Sequence, residues 1–264
     1  MNRLTPIILK LGGSAITFKD KPFKPNVSTI KRLAREISKA NLESLIVVHG
    51  GGSFGHPIAK EYKIVDGYKS SDQLIGFSKT RQAMMVLNKL ILDAFIEYSL
   101  VPVSVQPSAF IITEKSRIKN FNPEIIKKIL NLHMLPILYG DAVLDRKLGF
   151  TILSGDQIIS KLAITLEAKK IIVCVDVDGL YDDDPKLNKK AKFVKEITLS
   201  ELNEFLEKIG NSKVIDVTGG MYGKIVELIP AVERGALVKI INAKKVNRLY
   251  RALRNEEVIS TEIR

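Results

Sequence analysis

Four glycine clusters carry the strongest chemical signal in this 264-residue chain. Gly12-Gly13-Ser14 follows the apolar run Ile7–Leu11, and Gly50-Gly51-Gly52-Ser53 follows Leu45–His49. Gly155-Asp156 precedes one helix-like segment and Gly219-Gly220 opens another. Glycine lets backbone N–H groups approach phosphate oxygens closely, and a following helix N-terminus adds favourable positive potential. One Gly-Gly pair reads equally well as a tight turn. Several at strand–helix junctions in one chain point to phosphate binding. Lys10 stands at the end of an apolar run, where an uncompensated charge would be costly, so it joins the list of chemical candidates.

Two motif look-alikes fit less well. Gly50, Gly52 and Gly55 satisfy G-x-G-x-x-G after an apolar run, with Asp66 or Asp72 as a possible ribose partner. A dinucleotide site leaves Lys10, the second glycine pair and the Asp-rich segment Asp176–Asp178 unexplained. Gly223-Lys224 resembles the end of a Walker A loop, but Thr218 replaces its first glycine and Ile225 its hydroxyl residue, so a P-loop is rejected. No His/Cys/Asp cluster has metal-ligand spacing, and no Ser/His/Asp arrangement is visible.

The elements that must position these residues alternate along the chain. Strands are expected at Ile7–Leu11, Leu45–His49, Val101–Val105, Ala109–Thr113, Leu135–Leu138, Ile171–Val175 and Leu237–Ile241. Amphipathic helices are expected at Ser28–Ala40, Ser71–Leu100, Pro123–Leu132, Asp156–Leu166, Leu199–Ile209 and Gly220–Arg234. Strands this continuously apolar, alternating with helices, predict an α/β fold: a three-layer sandwich whose mostly parallel central sheet is covered by helices on both faces. In such sheets ligands bind at the carboxyl ends of the strands, where these glycines fall. Ala142–Leu144 and Phe150–Leu153 read as a β-hairpin, and the polar, basic stretch Asp182–Lys195 as a mobile loop over a site.

Bulk composition narrows the function classes. The chain is 45% hydrophobic and 27% charged, ordinary for a globular protein, and its longest apolar runs are too short to span a bilayer. The N-terminus lacks a signal-peptide layout, so a cytoplasmic protein is expected. Cys174 lies inside an apolar run as a buried, inert thiol, and one cysteine allows no disulfide framework. The net charge of +12 is unusual. Basic residues are scattered among acids, without an arginine-rich tract or tryptophan. A solvated basic surface that attracts phosphorylated small molecules explains this better than nucleic acid or a membrane.

Lys10-Leu11-Gly12-Gly13-Ser14, His49-Gly50-Gly51-Gly52, Asp176-Val177-Asp178-Gly179-Leu180-Tyr181 and Thr218-Gly219-Gly220-Met221, closing at Lys224, resemble the amino acid kinase superfamily. The resemblance covers essentially the whole chain, in the family's order. Within the superfamily the sequence is most similar to archaeal-type isopentenyl phosphate kinases. The residues that carry this are Gly52-Ser53-Phe54-Gly55-His56-Pro57, Lys19, Val105-Gln106-Pro107-Ser108 and Ile152-Leu153-Ser154-Gly155-Asp156. A fosfomycin-phosphorylating relative shares part of this pattern, including the histidine, so fosfomycin or another small phosphate or phosphonate is the alternative acceptor. A non-catalytic nucleotide- or nucleic-acid-binding module on the same fold is a third reading, against which intact Lys10, His56, Asp156 and Lys224 count.

The resemblance implies a single domain over residues 1–264, with an acceptor lobe to about residue 165 and an ATP lobe beyond it. It implies ATP and Mg²⁺ as cofactors, the ion carried mainly by ATP, and a homodimer formed through the long helix near Ser71–Leu100. Lys10 and Lys224 would bridge the ATP phosphates and the moving γ-phosphoryl group, and Lys19 would add transition-state stabilisation. Gly12, Gly13, Ser14 and Gly52 would line the nucleotide phosphates, with Asp176, Tyr181 and Gly219 near the adenosine end. Gly51, His56 and Gly155 would hold the acceptor phosphate, and Asp156 would orient the lysines. Phe77 and Met84 are candidates for an apolar tail pocket. Each has a plainer reading: Lys19 and Lys224 as solvated charges, Asp156 as a helix cap, His56 as a helix-start residue fixed by Pro57, and Phe77 and Met84 as core. His49 and His133 read as structural.

Overall fold

Runs of Ile, Val and Leu long enough to be buried on both faces build the centre of the molecule. The computed structural model describes residues 5–183, 185, 187–210 and 215–264, without the side chains at 203, 206–210 and 215–220. The strands are β1 (Ile7–Leu11), β2 (Leu45–His49), β3 (Pro102–Ser104), β4 (Ile111–Glu114), β5 (Arg117–Phe121), β6 (Leu135–Tyr139), β7 (Asp141–Asp145), β8 (Gly149–Leu153), β9 (Lys170–Val175), β10 (Leu180–Tyr181), β11 (Phe193–Val194), β12 (Glu196–Ile197), β13 (Leu237–Asn242) and β14 (Ser260–Ile263). The helices are α1 (Gly13–Ile16), α2 (Val27–Ala40), α3 (Gly52–Glu61), α4 (Asp72–Glu97), α5 (Glu124–Asn131), α6 (Gly155–Leu166), α7 (Leu199–Gly210), α8 (Ile215–Val232) and α9 (Arg248–Leu253).

Eight strands form one sheet in the order β12-β14-β13-β9-β1-β2-β6-β3, parallel except where β13 meets β14. β1 is central, with Lys10 level with Val48 of β2 and Val173 of β9. The chain leaves β1 towards β2, β6 and β3 on one side, and returns later to β9 and β13 on the other. This reversal opens a crevice at the carboxyl ends of β1, β2 and β9, the place where an open α/β sheet binds its ligand.

Strand periodicity divides the core in two. Ile8, Ile46, Val48, Ile171 and Val173 pack with Ile158 and Leu162 of α6 and with Ile225 and Leu228 of α8. Leu9, Leu11, Val47, Ile172 and Cys174 pack on the opposite face with Ile30, Leu33 and Ile37 of α2, Leu87 and Ile91 of α4, and Leu249 of α9. Each fully buried Leu or Ile contributes about 1.5–3 kcal/mol. The same alternation sends the Lys10 side chain to the α6 face beside Ile8. α2 starts where the Asn26 side chain accepts the Thr29 N–H, and it ends at left-handed Asn41.

Three expectations need correction. Ala109–Thr113 is expected in the parallel sheet, but β4 belongs to a separate four-stranded sheet, β5-β4-β7-β8, whose β7–β8 hairpin matches the expected one. The polar stretch after Tyr181 is not simply a loop: β10 pairs with β11, and Asp182 and Lys192 close the ladder through backbone and side-chain bonds. Gly219-Gly220 does not open its helix, because α8 begins at Ile215. The glycine-rich segment after β2 is a helix, α3, even though it contains Pro57. Proline cannot donate to the Ser53 carbonyl one turn back. That carbonyl instead accepts the Phe23 N–H at 3.0 Å, and the Phe23 ring packs edge-on against Phe54. Among the described residues, no helix is long and apolar enough to cross a membrane.

Candidate active site

The first two glycine clusters meet backbone to backbone. A Cβ on Gly13 would lie 2.4 Å from the Gly52 amide nitrogen, so no larger residue fits without moving the second loop. Gly52 has φ +48, and a Cβ there would lie 2.2 Å from Thr17 Oγ1. That hydroxyl accepts the Ser53 N–H at 2.9 Å, which ties the start of α3 to α1.

A cleft of about 520 Å³ opens over this junction at the carboxyl ends of the central strands. Lys10, Gly13, Ser14 and Lys19 line it from the β1 side, Gly51, Gly52, Gly55 and His56 from the β2 side, Gly155 and Asp156 from α6, and Lys224 from α8. The first residues of α1, α3 and α6 therefore all face one space. Their leading N–H groups and the positive ends of α3 and α6 favour an anion there. Ala59, Thr80, Met84, Ile152 and Leu153 form a more apolar end.

Lys10 and Asp156 form a buried ion pair across the floor, their side chains 4% and 11% exposed. Burial pulls the Lys10 ammonium below the ordinary lysine range, opposed by Asp156 and reinforced by the Lys224 charge. Ser154 caps α6 by accepting the Gln157 N–H, which leaves the adjacent Asp156 side chain for the lysine. His56 stands in the open cleft, where solvent reaches the ring. The cleft walls desolvate it and Lys224, Lys10 and Lys19 add positive charge, so its pKa lies below the usual histidine value. It is therefore a neutral imidazole at pH 7 in the free protein, able to donate one hydrogen bond.

Asp176, just past β9, gathers the rim. The Ser14 hydroxyl donates to its Oδ1 at 2.9 Å, and Lys19 and Lys244 place their ammonium groups 4.0 and 3.9 Å from Oδ2. Asp178 pairs with Arg248 and accepts from Asn242 at 3.1 Å. Tyr181 packs against Phe193, with ring centroids 5.4 Å apart.

Of the residues singled out from sequence, Lys10, Gly13, Ser14, Lys19, Gly51, Gly52, His56, Met84, Gly155, Asp156 and Lys224 come together around this cleft. Gly12 lies beneath it, its N–H bonded to the Cys174 carbonyl at 2.9 Å. Phe77 does not line the cleft: it packs on Phe150, centroids 5.2 Å apart, in a cluster that also holds the lining residues Ala59 and Ile152. Gly219 falls in α8 at residues whose surroundings lie outside the described set. His49 is structural, stacked on Tyr139 and bonded to Asn88 at 3.3 Å. Sequence reasoning missed Asp141, Thr80 and Lys244. Asp141 follows Gly140 at the end of an apolar strand, the signal that marked the other clusters; Thr80 and Lys244 carried none.

The amino acid kinase family model matches residues 5–242. An isopentenyl phosphate kinase of Methanothermobacter thermautotrophicus is 41% identical, over 97% of this chain and 98% of its own. That of Methanocaldococcus jannaschii is 39% identical, over 97% of both. Among solved structures, an isopentenyl phosphate kinase at 37% identity superposes with a TM-score of 0.86, covering 98% of this chain and 99% of that one.

Proposed function

This chain belongs to the amino acid kinase family, and from that premise we propose that it transfers the γ-phosphoryl group of ATP to isopentenyl phosphate, forming isopentenyl diphosphate and ADP. The observation that carries the proposal is the cleft itself. Two glycine loops in backbone contact, three helix starts and three lysines surround one space with a histidine and an apolar end.

The chemistry asks for little more. The acceptor is a phosphate monoester, largely dianionic at neutral pH because its second pKa is about 6. Its oxygen attacks the γ-phosphorus, the bond to the β–γ bridging oxygen breaks, and ADP leaves with the electron pair. No proton has to be removed from the nucleophile. The site must bring two polyanions together and stabilise charge on the transferred group.

Lys10 and Lys224 bridge the nucleotide phosphates and the moving group, and Lys19 supports the transition state from the rim. Asp156 orients Lys10 and does not act as a base. Gly51, His56 and Gly155 hold the acceptor phosphate, His56 by a hydrogen bond. Gly12, Gly13, Ser14 and Gly52 serve the nucleotide phosphates, Tyr181 and Gly219 the adenosine side, and Asp176, bonded to Ser14, stands at the phosphate end of that side. Met84, with Ala59 and Ile152, receives the isoprenoid tail. Mg²⁺ would supply charge neutralisation on the ATP phosphates, its usual ligands. The carboxylate oxygens of Asp156 and Asp176 suit a hard cation but are engaged by Lys10 and Ser14.

We assign the acceptor lobe to about residue 165 and the nucleotide lobe to the residues after it, with Lys10, Gly12, Gly13, Ser14 and Gly52 reaching the nucleotide phosphates from the first lobe. We assign a homodimer to α4. Leu74, Met85 and Ile96, spaced 11 residues apart, are 50%, 51% and 62% exposed on one face, with Ile75 and Val86 beside them. Eleven residues are about three helical turns. A cytoplasmic location suits a kinase that draws on ATP.

The test is an acceptor panel with ATP and Mg²⁺: isopentenyl phosphate, fosfomycin, UMP and acetylglutamate. ADP formation dependent on isopentenyl phosphate is expected. Turnover with another acceptor and none with isopentenyl phosphate would replace the reading.

A further inference from the structure

Lys244 lies outside every motif that led to the cleft, yet its ammonium group stands 3.9 Å from the Asp176 oxygen that Lys19 approaches at 4.0 Å. We propose that Lys244 is a contact for the nucleotide's phosphate chain, and that Asp176 is a positioning residue holding Lys19 and Lys244 at the rim as a counter-ion that the incoming phosphates replace. This rests on the ATP reading above and adds to it a residue and a regulated charge.

The geometry separates a firm bond from two loose ones. Asp176 takes a hydrogen bond of 2.9 Å from Ser14, which lies in the first glycine loop and lines the cleft. Both lysine contacts are at the limit of ion pairing, and their side chains are 52% and 67% exposed. Such pairs are weak in water, so exchanging the carboxylate for a phosphate oxygen costs little. Two ammonium groups against one carboxylate also leave positive charge beside the glycine loops, where a polyphosphate brings several negative charges.

The main chain beneath Lys244 is held by hydrogen bonds, while its side chain is half exposed. Ala243 N–H donates to the Val175 carbonyl at 2.8 Å, beside Asp176. The Lys244 N–H donates to Asn242 Oδ1 at 2.9 Å, and Arg32 donates to the Ala243 carbonyl. Buried Glu36 accepts the Asn247 and Tyr250 N–H groups at 3.0 and 3.1 Å. The turn after β13 is thus tied to β9 and α2, and it presents one long cation to the rim. A surface lysine that only balanced Asp176 would need no such anchoring of its turn.

The experiment compares wild type, Lys244→Ala and Lys244→Arg in the full chain. It measures KM for ATP and for the acceptor, and binding of ADP, AMP and adenosine at low and moderate salt. Lys244→Ala is expected to raise KM for ATP and weaken ADP by about tenfold, one lost charged contact. Adenosine binding and the acceptor KM should stay within twofold, the salt dependence of ADP binding should shrink, and Lys244→Arg should restore most of the affinity. Unchanged ATP and ADP values in Lys244→Ala would overturn the inference and leave the kinase reading standing. Equal weakening of adenosine and ADP would make Lys244 structural and overturn it as well. A wild-type chain that forms no ADP with any acceptor would remove the kinase reading first.

Discussion

Lys10 and Asp156 form a buried ion pair that joins the central strand β1 to the start of α6 at the floor of the cleft. Truncating either partner strands the other charge away from water, a loss of about 3–5 kcal/mol. Lys10→Met is expected to lower turnover by about 10²–10³-fold through lost stabilisation of the transferred group, and to lower Tm. Pairing Lys10→Met with Asp156→Leu should recover much of the Tm and none of the turnover. Calorimetry and kcat on the three proteins decide it; an active double variant would remove Lys10 from the chemistry.

The cleft walls and the charges of Lys224, Lys10 and Lys19 hold the His56 pKa below the usual histidine value, which favours the neutral ring in the free protein. A bound phosphate dianion reverses that field and raises the value, so acceptor binding should draw a proton onto the ring. His56→Ala is expected to raise the acceptor KM by about tenfold or more, while His56→Gln, which keeps one donor, loses less. Titration calorimetry in buffers of different ionisation enthalpy should show proton uptake in the wild type and less in His56→Gln. Equal uptake in both would place the proton elsewhere.

The sequence made the site legible wherever the backbone itself does the work. Gly13 and Gly52 had to be glycine because their loops touch, and Lys10 stood out because a charge had entered an apolar strand. Strands β1, β2, β3, β6, β9 and β13 of the central sheet followed from the same apolar runs, whereas β12 (Glu196–Ile197) and β14 (Ser260–Ile263) are too short and polar to stand out. Helix α3 was hidden, because Gly52, Gly55 and Pro57 all argue locally against helix. It persists through tertiary contacts: Thr17 at its first turn and Phe23 on the carbonyl that Pro57 leaves open. The separate sheet containing β4 was unreadable for a related reason. Alternation announces a strand but not its partner. Lys244 was invisible, since only the fold brings residue 244 beside residue 176.

His49 gives the protein a predictable acid limit. Its ring is fully buried, and desolvation lowers its pKa to about 4 from 6.5. The unfolded chain takes up a proton near pH 6.5, which the folded one refuses until about pH 4. The stability from a neutral His49 is therefore complete above pH 6.5 and lost as pH falls through that window, by about 3 kcal/mol in all. His49→Gln should be less stable at pH 7.5 yet show a flatter loss of stability from pH 6.5 to 4 in urea titrations. An unchanged slope would assign the acid sensitivity to other groups.

Met84 and Phe77 lie on the same helix, but only Met84 reaches the cleft, and this separates tail recognition from packing. A Cβ on Gly51 or Gly55 would lie 3.1 or 2.7 Å from the Met84 sulfur, so this side chain fills the space beneath the acceptor loop. Phe77 instead stands behind the cleft, in a small cluster with Phe150 and Ile64 that backs the lining residues Ala59 and Ile152. Met84→Ala opens volume next to Ala59 and Ile152. It should raise KM for isopentenyl phosphate several-fold while improving the relative rate with monophosphates of longer isoprenoid tails. Phe77→Ala removes a ring from the cluster behind that pocket and should cost about 3 kcal/mol of stability, with a smaller change in acceptor preference than Met84→Ala. Kinetics with acceptors of graded tail length, alongside urea unfolding, tests both at once. If Phe77→Ala shifts tail preference and Met84→Ala does not, the tail lies against the Phe150 cluster and the pocket has been assigned to the wrong side of α4.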